Sequence, residues 1–293
     1  MAPIPIPVSK AGRPLPAQHY RLPALLHDIR LLDLLELSGT TIEASRLLRL
    51  SQPTVSRRSR ALARDFSLVP DRASAGGCLY GGSRVMRLLR QACRAHRLAA
   101  GVARLGTDVS LLPLLADCDW LLPAPPRFRS LEGWRELVLQ GVLDGAVLLG
   151  LERNGDPPPD HPELECLPLG TASLDLVVGS RGCRDGQGLP PVLLPHHRVA
   201  LGLHAALHPR GHQLRIAGNG CQTPSQWVAR LERSGLAMPL LRAAPAHWWQ
   251  GLQRLHLAEP LMLPLWLVLP AGWREQPVLA HTAEVLAGRI GAA

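Results

Sequence analysis

Apolar residues recur every three to four positions in the first third of the chain, a spacing that places them on one face of a helix. The pattern predicts a helix from Leu25 to Leu37, for which Gly39 is a suitable C-terminal stop. A short helix after Thr40 and a longer one after Ser51 follow, and Ser51 is a residue type favoured at the N-cap. Three helices this close together predict a helical headpiece.

The third predicted helix separates apolar from polar side chains. Val55, Ser59 and Leu62 fall on its inner side, and Pro53 fits its first turn, where a missing N–H costs nothing. The outer face carries the amide, hydroxyl and guanidinium groups of Gln52, Thr54, Ser56, Arg57, Arg58 and Arg60. Such groups match the hydrogen-bonding pattern of base edges in a DNA groove. The second and third helices therefore predict a helix-turn-helix.

Two further elements complete the first third of the chain. Glycines and a proline surround Cys78–Tyr80, which we predict to be a strand of a small β-wing. From Arg84 to about Ala103 there is no proline, and the pattern predicts a long amphipathic helix that serves as linker and dimer seam. Its apolar positions are Val85, Leu88, Leu89, Ala92, Leu98, Ala99 and Val102, and beside them lie Arg84, Arg87, Arg90, Arg94 and Arg97.

Beyond Leu105 short apolar runs alternate with segments of helical pattern, which favours an α/β domain. Leu143-Asp144-Gly145 and Leu174-Asp175-Leu176 are interpreted as entries into strands and nothing more. The predicted strands are Asp119–Leu122, Gly145–Leu149, Leu164–Leu167, Leu174–Val178, Val192–Leu194, Gln213–Ile216, Met238–Leu241 and Leu263–Leu269. The predicted helices are Ser130–Gly141, Val199–Leu207, Pro224–Ser234 and Glu275–Ile290.

Charge divides the chain at the same place. Residues 1–104 hold 17 Lys and Arg against 6 Asp and Glu, a net +11, whereas residues 105–293 hold 15 against 17, a net −2. A basic module joined to a neutral domain suggests phosphate binding by the first part. No apolar stretch is long enough to span a membrane, and six scattered cysteines without close pairs suit a reducing cytoplasm.

The run Ser51-Gln52-Pro53-Thr54-Val55-Ser56-Arg57 resembles the recognition-helix signature of LysR-type transcriptional regulators. The family's preceding positions fall without gaps on Gly39-Thr40-Thr41, Ala44-Ser45 and Leu48. Weaker similarity continues at Trp134–Leu148 and Leu263–Leu269, in the family's order. Thr41, Ser59 and Ala63 depart from the family's usual aromatic, Ile/Val and Glu, which marks the headpiece as divergent.

The resemblance implies an α/β protein whose N-terminal part is an all-α winged helix-turn-helix with a linker helix. A two-lobed α/β domain similar to periplasmic binding proteins would follow and bind a small-molecule effector in the cleft between its lobes. We expect residues 1–20 to be a disordered tail, 21–83 the DNA-binding domain, 84–104 the linker and dimerisation helix and 105–293 the effector domain. The expected partners are double-stranded DNA, an unidentified effector and further copies of the chain, as a dimer or a tetramer.

The predicted DNA-binding residues have different roles. Gln52 and either Arg57 or Arg58 are suited to read base edges, and Thr54 and Ser56 to bond base or phosphate. Thr40, Arg72 and the arginines of the linker are expected at phosphates, where contacts fix register without reading sequence. The complete predicted interface is Thr40, Ser51, Gln52, Pro53, Thr54, Ser56, Arg57, Arg58, Arg60 and Arg72. A solvated basic helix face is the alternative.

The effector residues are predicted from polar loops. Thr107, Asp108 and Ser110 lie where a first strand should meet a first helix, so hydroxyls and helix N-terminal N–H groups could receive an anion there. Thr171 and Ser173 near the lobe crossover, and Asn219 before the Pro224 helix, are further candidates. Each of these could equally be an ordinary cap or turn.

Other chemistry receives less support from the sequence. His204 and His208 have the spacing of two metal ligands on one helix face, within a cluster that includes His196, His197 and His212, but no Cys or acidic residue nearby completes a shell. Cys183 and Cys221 are the cysteines considered for a redox switch. No catalytic motif occurs, so we expect no enzyme, no metal and no cofactor. The alternatives are a binding or enzymatic domain with a vestigial headpiece, and a regulator without effector.

Overall fold

A computed structural model describes residues 16–71, 78–122, 124–149, 158–179, 189–217, 224–244, 251–255, 257 and 259–291. Its helices are α1 (His27–Ser38), α2 (Thr41–Leu48), α3 (Gln52–Asp65), α4 (Arg84–Ala99), α5 (Leu131–Leu139), α6 (Leu201–Leu207), α7 (Pro224–Ser234) and α8 (Pro277–Gly291). Its strands are β1 (Leu105–Gly106), β2 (Gly145–Leu149), β3 (Leu164–Gly179), β4 (Val192–Leu194), β5 (Leu214–Ile216), β6 (Ala237–Leu241), β7 (Leu252–Leu255) and β8 (Leu261–Pro270). None of these helices is both long and apolar enough to cross a lipid bilayer.

The predicted α/β class is confirmed, and the strands form one mixed sheet in the order β1-β2-β8-β3-β6-β4-β5, with β7 also paired to β3. The long antiparallel pair β3 and β8 lies in the middle of the sheet and connects its two ends. A register shift between Pro168 and Gly170 interrupts this pair, and Gly170 has a φ of 121°, which favours glycine. We call the end with β1, β2 and α5 lobe 1, and the end with β4 to β7, α6 and α7 lobe 2.

Several predicted strand bounds differ from those in the structure. Leu164–Leu167 and Leu174–Val178 are parts of the single strand β3, because β8 continues to pair across the register shift. Asp119–Leu122 makes only an isolated bridge between Leu121 and Ala103. The predicted strand Cys78–Tyr80 is a turn, since the backbone N–H groups of Leu79 and Tyr80 donate to the Glu36 carboxylate at 2.6 and 3.1 Å.

Residues 16–20 pack against α4 and lobe 1, although the sequence predicted a disordered tail as far as residue 20. The backbone N–H of Ala17 donates to the Asp119 carbonyl at 2.6 Å, and the Tyr20 hydroxyl lies 3.1 Å from Nδ1 of His96. Burial raises the pKa of Tyr20 to about 12. These contacts join the segment to α4 and to lobe 1. Residues 1–15 of that predicted tail lie outside the described residues.

The headpiece, α1 to α3 with residues 16–26, packs directly on lobe 1. Leu34 and Leu37 of α1 share an apolar cluster with Trp134, Leu137 and Val138 of α5. Arg129 donates from Nη2 to the carbonyls of Glu36 and Leu37, both at 2.8 Å, where a cation complements the negative end of the helix dipole. The headpiece and lobe 1 are therefore one packed unit in this structure.

Three arginines of α4 are buried at this junction, which corrects the prediction that they contact phosphates. Arg90 donates to Asp33 at 2.8 Å and to Glu36 at 3.2 Å. Arg97 donates to both oxygens of Asp144 at 3.0 and 2.6 Å, and Arg94 donates to carbonyls of Val138 and Leu143. Buried carboxylates and carbonyls accept hydrogen bonds from these guanidiniums, so this side of α4 faces protein.

The opposite side of α4 is apolar and exposed. Val85 is 48% and Leu88 58% exposed, and Ala92, Ala95 and Ala99 continue the same face into solvent. The steps of three, four, three and four residues are those of a coiled-coil seam. Leu98, Val102 and Leu89 were predicted on this seam, but Leu98 and Val102 are buried and Leu89 is partly buried.

Candidate nucleic-acid interface

Two capped helices and a three-residue connection form the predicted helix-turn-helix. The Thr40 hydroxyl accepts a hydrogen bond from the Glu43 N–H at 3.2 Å and so caps α2. Arg49 ends α2 with a φ of 54°, and the Leu50 N–H then donates to the Ser45 carbonyl at 3.0 Å. Ser51 caps α3 by accepting from the Thr54 N–H at 3.3 Å. These bonds fix the angle at which α3 leaves the turn.

The inner side of α3 is the one that the spacing predicts. Val55, Ser59 and Leu62 are buried, and they pack in a headpiece core that includes Ile29 and Met86. The Ser59 hydroxyl donates to the Ser56 carbonyl at 3.1 Å. The polar Ser59 is therefore tolerated at this buried position, because the hydrogen-bond donor of its side chain is satisfied.

The outer side of α3 faces solvent. Gln52, Pro53, Arg57, Arg58 and Arg60 are exposed, and Ser56 is partly exposed. The basic and amide groups on this side of α3 are accessible to a ligand as large as duplex DNA. Nearby, Thr54 is partly exposed, Thr40 and Ser51 are exposed, and Arg72 lies outside the described residues.

The structure distinguishes Arg57 from Arg58, which the sequence left open. Arg58 forms an ion pair with Asp28 of α1, and both side chains are about half exposed. Arg57 and Arg60 have no hydrogen-bond or ion-pair partner among the residues that the structure describes. Arg57 is thus the more available of the two candidates for a base edge.

Some polar groups of the interface already have internal partners. The Gln52 side-chain amide donates to the Thr41 hydroxyl at 3.1 Å, and the hydroxyls of Ser51 and Thr54 lie 2.7 Å apart. Thr41 thus positions Gln52 at the start of α3. The carbonyl oxygen of the Gln52 amide stays available as an acceptor.

Side chains of the predicted effector loop in lobe 1 form hydrogen bonds with the loop's own backbone and with β2. The Thr107 hydroxyl donates to the Val147 carbonyl at 3.2 Å, and Ser110 is buried. The Asp108 carboxylate accepts from the N–H groups of Ser110 and Leu111 at 2.8 and 3.2 Å, which is the place we predicted for a ligand anion. Burial raises the pKa of Asp108 to about 6, although these two N–H groups oppose the change.

The two predicted effector segments approach each other at the end of β6. The Leu241 N–H donates to the Ser110 carbonyl at 3.4 Å and the Arg242 N–H to the Ser173 carbonyl at 2.8 Å. Thr171 and Ser173 line a cavity of about 300 Å³ that the loop with Thr107, Asp108 and Ser110 does not line. The structure therefore divides the predicted set, and Asn219 lies outside the described residues.

Apolar side chains meet where the lobes approach each other. Phe128 and Trp227 pack edge to face with ring centroids 5.4 Å apart. Val109 joins Trp227 in one apolar cluster with Val177 and Leu193 of lobe 2. The lobes are therefore in direct contact through these side chains.

The histidine cluster does not assemble a metal site. The rings of His196 and His197 stack at 4.0 Å, and Nε2 of His204 lies 2.8 Å from the Pro195 carbonyl. Over the described ranges, no group of three His, Cys, Asp or Glu side chains could hold a metal ion. Cys183 and Cys221, considered for a redox switch, lie outside those ranges.

Two aspartates have a larger structural role than their sequence context suggests. Asp144 and Asp175, interpreted only as strand entries, are both fully buried and both bind two arginines. Asp144 receives Arg94 and Arg97 at the headpiece junction, and Asp175 receives Arg242 and Arg254 in lobe 2. An acidic residue inside an apolar strand pattern was the available signal, because buried carboxylates need partners.

No protein-family model matches the sequence, and no curated protein matches it. Among solved structures, the chain is similar to that of CbnR, a LysR family transcriptional regulator, at 16% identity over 90% of this chain and 99% of that one, with a TM-score of 0.49. Full-length CbnR complexed with its target DNA gives 16% identity, the same coverages and a TM-score of 0.46. LysG from Corynebacterium glutamicum, with bound effector Arg, gives 19% identity over 92% and 98% of the chains and a TM-score of 0.40. These identities and TM-scores do not establish a function, which therefore has to be inferred from the residues of the site itself.

Proposed function

We propose that this protein is a sequence-specific DNA-binding transcription regulator of the LysR type, which acts without catalysis. The observation that carries the proposal is the exposed face of α3, a capped helix after a tight turn whose Arg57 and Arg60 are uncommitted within the described part of the chain. A second helix presented in this way fits the major groove. The basic charge of residues 1–104 favours the same partner.

Within this interface we assign different roles to the exposed side chains. Gln52 and Arg57, which are about 1.4 turns apart, reach base edges, since amide and guanidinium groups can bond bases in bidentate fashion. Arg60, Thr40, Ser51, Thr54, Ser56 and Arg72 contact phosphates, and Pro53 shapes the first turn. Arg58 holds α3 to α1 through Asp28 and makes at most a phosphate contact.

The exposed apolar face of α4 supports assembly of two chains. Val85, Leu88, Ala92, Ala95 and Ala99 would pair with the same residues of a second copy, as in a two-stranded coiled coil. A two-fold dimer presents two α3 helices to half-sites about one helical turn of DNA apart. Larger assemblies of such dimers, and a small-molecule effector that acts through residues 105–293 in the cytoplasm, belong to the same proposal.

The experiment is a titration of promoter-region duplex DNA by fluorescence anisotropy at several salt concentrations. We expect tight binding that weakens steeply with salt, because each phosphate contact releases counterions. Arg57→Ala should weaken binding by about 1–3 kcal/mol on the cognate site, and much less on unrelated DNA. Arg215→Ala, which removes an exposed arginine of β5, is the matched control and should change nothing.

Equal losses in the Arg57→Ala and Arg215→Ala variants would contradict the proposal, because binding would then depend only on total charge. Binding that does not respond to salt would contradict it as well.

A further inference from the structure

A cavity of about 550 Å³ lies between the headpiece and lobe 1. Its walls come from the segment before α1, from α1 and α4, and from the chain on either side of Leu121. A volume of this size is within the range of small-molecule sites. Apolar side chains cover much of its surface: Tyr20, Leu22, Leu34, Leu47, Leu121 and Leu122.

Cationic groups outnumber anionic groups around this cavity. Among the described residues, four arginines and two aspartates line it: Arg21, Arg30, Arg97 and Arg104 against Asp33 and Asp119. The Arg21 guanidinium donates to the backbone carbonyls of Gln18 and Tyr20, and Arg30 is exposed at the rim. The cavity therefore has an electrostatic preference for an anion.

The buried side chains at the junction of the headpiece and lobe 1 also include more cations than anions. In the part of the chain that the structure describes, five buried arginines meet three buried carboxylates at the headpiece junction: Arg90, Arg94, Arg97, Arg104 and Arg129 against Asp33, Glu36 and Asp144. Charges taken out of water are costly unless a counter-charge accompanies them. Of these arginines, Arg97 and Arg104 line the cavity, so a ligand with negative charge would meet two buried cations.

Arg104 is the cavity residue with the least compensation. Its Nη1 lies 3.3 Å from Oδ2 of Asp33 and 3.3 Å from the Val142 carbonyl, and Asp33 shares its single charge with Arg90, which donates to Oδ1 at 2.8 Å. The Nε of Arg104 is buried and has no hydrogen-bond partner among the described residues. Burial, together with repulsion from Arg97, lowers the pKa of Arg104. Because Arg104 lines the cavity, a carboxylate there would add a counter-charge to this guanidinium.

We propose that this cavity binds a small organic carboxylate, with its acid group toward Arg104 and Arg30 and its aromatic or aliphatic body against Tyr20 and the leucines. The site differs from the predicted cleft between the lobes, where Phe128 and Trp227 pack together. A ligand here contacts the headpiece and lobe 1 at once. It would therefore stabilise the packing of the headpiece on lobe 1. The binding of this ligand does not depend on the proposed function, whereas any effect of the ligand on DNA binding rests on it.

The test measures ligand binding without DNA. The full chain is titrated with benzoate, phenylacetate and hexanoate at constant ionic strength, by thermal shift and then calorimetry. Benzamide, phenylacetamide and hexanamide are the neutral counterparts. A ligand that binds only the folded chain raises the melting temperature in a concentration-dependent way.

Two variants locate the site. Arg104→Gln removes the buried guanidinium, and Arg30→Gln changes an exposed rim residue whose loss leaves the core intact. Arg215→Gln, at an exposed position of lobe 2, is the control. We expect at least one carboxylate to bind, its amide to bind at least about tenfold more weakly, and both cavity variants to lose about tenfold or more in affinity, since a charged hydrogen bond contributes about 1.5–3 kcal/mol.

Three results would overturn the proposal: no carboxylate of the set binds, the amides bind as well as the acids, or Arg215→Gln loses as much affinity as Arg30→Gln. Because DNA is absent from the assay, a failure of the DNA-binding proposal leaves these outcomes unchanged.

Discussion

Substitution of Asp144 by Asn tests whether the buried ion pairs hold the headpiece to lobe 1. Asp144 is fully buried and accepts from Arg97 at 3.0 and 2.6 Å and from the Arg104 backbone N–H at 2.7 Å. The side chains of Arg94 and Arg97 beside it are only 4% and 2% exposed. The neutral amide would leave two guanidiniums in the interior without a counter-charge.

We expect Asp144→Asn to lower the free energy of unfolding by about 3–5 kcal/mol, the usual cost of removing one partner from a buried ion pair. The control is Asp175→Asn, because Asp175 is equally buried but its partners Arg242 and Arg254 are 35% and 34% exposed. Water can hydrate those two arginines, so the control should lose only about 1–2 kcal/mol. Urea unfolding followed by circular dichroism measures both.

The pH dependence gives the same experiment a second readout. Burial by itself would raise the pKa of Asp144, but the attraction and hydrogen bonds of Arg97 outweigh it and bring the pKa below the ordinary 3.8. Its contribution is therefore present above pH 3.8 and lost as the pH falls through the lower folded value. The difference between wild type and Asp144→Asn should be constant at neutral pH and shrink in acid. A loss under about 1 kcal/mol, or an equal loss in Asp175→Asn, would refute the reasoning.

Two further substitutions test other parts of the structure. Asp108 has a folded pKa of about 6 against 3.8 in the unfolded chain, so its stabilising contribution is complete below pH 3.8 and is lost as the pH rises through 6. Relative to Asp108→Asn, wild type should lose up to about 3 kcal/mol over this interval in urea titrations, and a difference that stays flat with pH would contradict the assignment. Leu88→Glu, which places a charge in the exposed seam of α4, should convert dimers to monomers in size-exclusion chromatography with light scattering. Val69→Glu, at a position 82% exposed outside α4, should leave the dimer intact, and a Leu88→Glu dimer would exclude this seam.

The elements of the chain were largely predictable because they depend on local patterns. Gly39 ends α1 with a φ of 68°, and Ser51 caps α3, as their residue types suggest. The bounds of β2 and of β4 agree with their apolar runs. Continuity of β3 was not predictable, because it depends on pairing with β8, almost a hundred residues later.

The environment of the α4 arginines could not be predicted from the amphipathic pattern. The sequence predicted an apolar dimer seam on one face and arginines that contact phosphates beside it. The structure instead buries Arg90, Arg94 and Arg97, since Asp33, Glu36 and Asp144 come from distant segments to meet them. Sequence spacing carries no information about such long-range pairs, and the same limit applies to the cavity beside Arg104.

Selection of random duplex DNA by the full chain tests the central claim, that α3 reads DNA sequence, and it requires no known operator. Bound fragments are sequenced for wild type and for Arg57→Ala and Arg215→Ala. We predict a motif with dyad symmetry, whose halves lie about 10 base pairs apart or a multiple of this, and relaxed preference at one position of each half with Arg57→Ala only. Recovery of no motif, or of the same motif with equal preference from Arg57→Ala, would contradict the account.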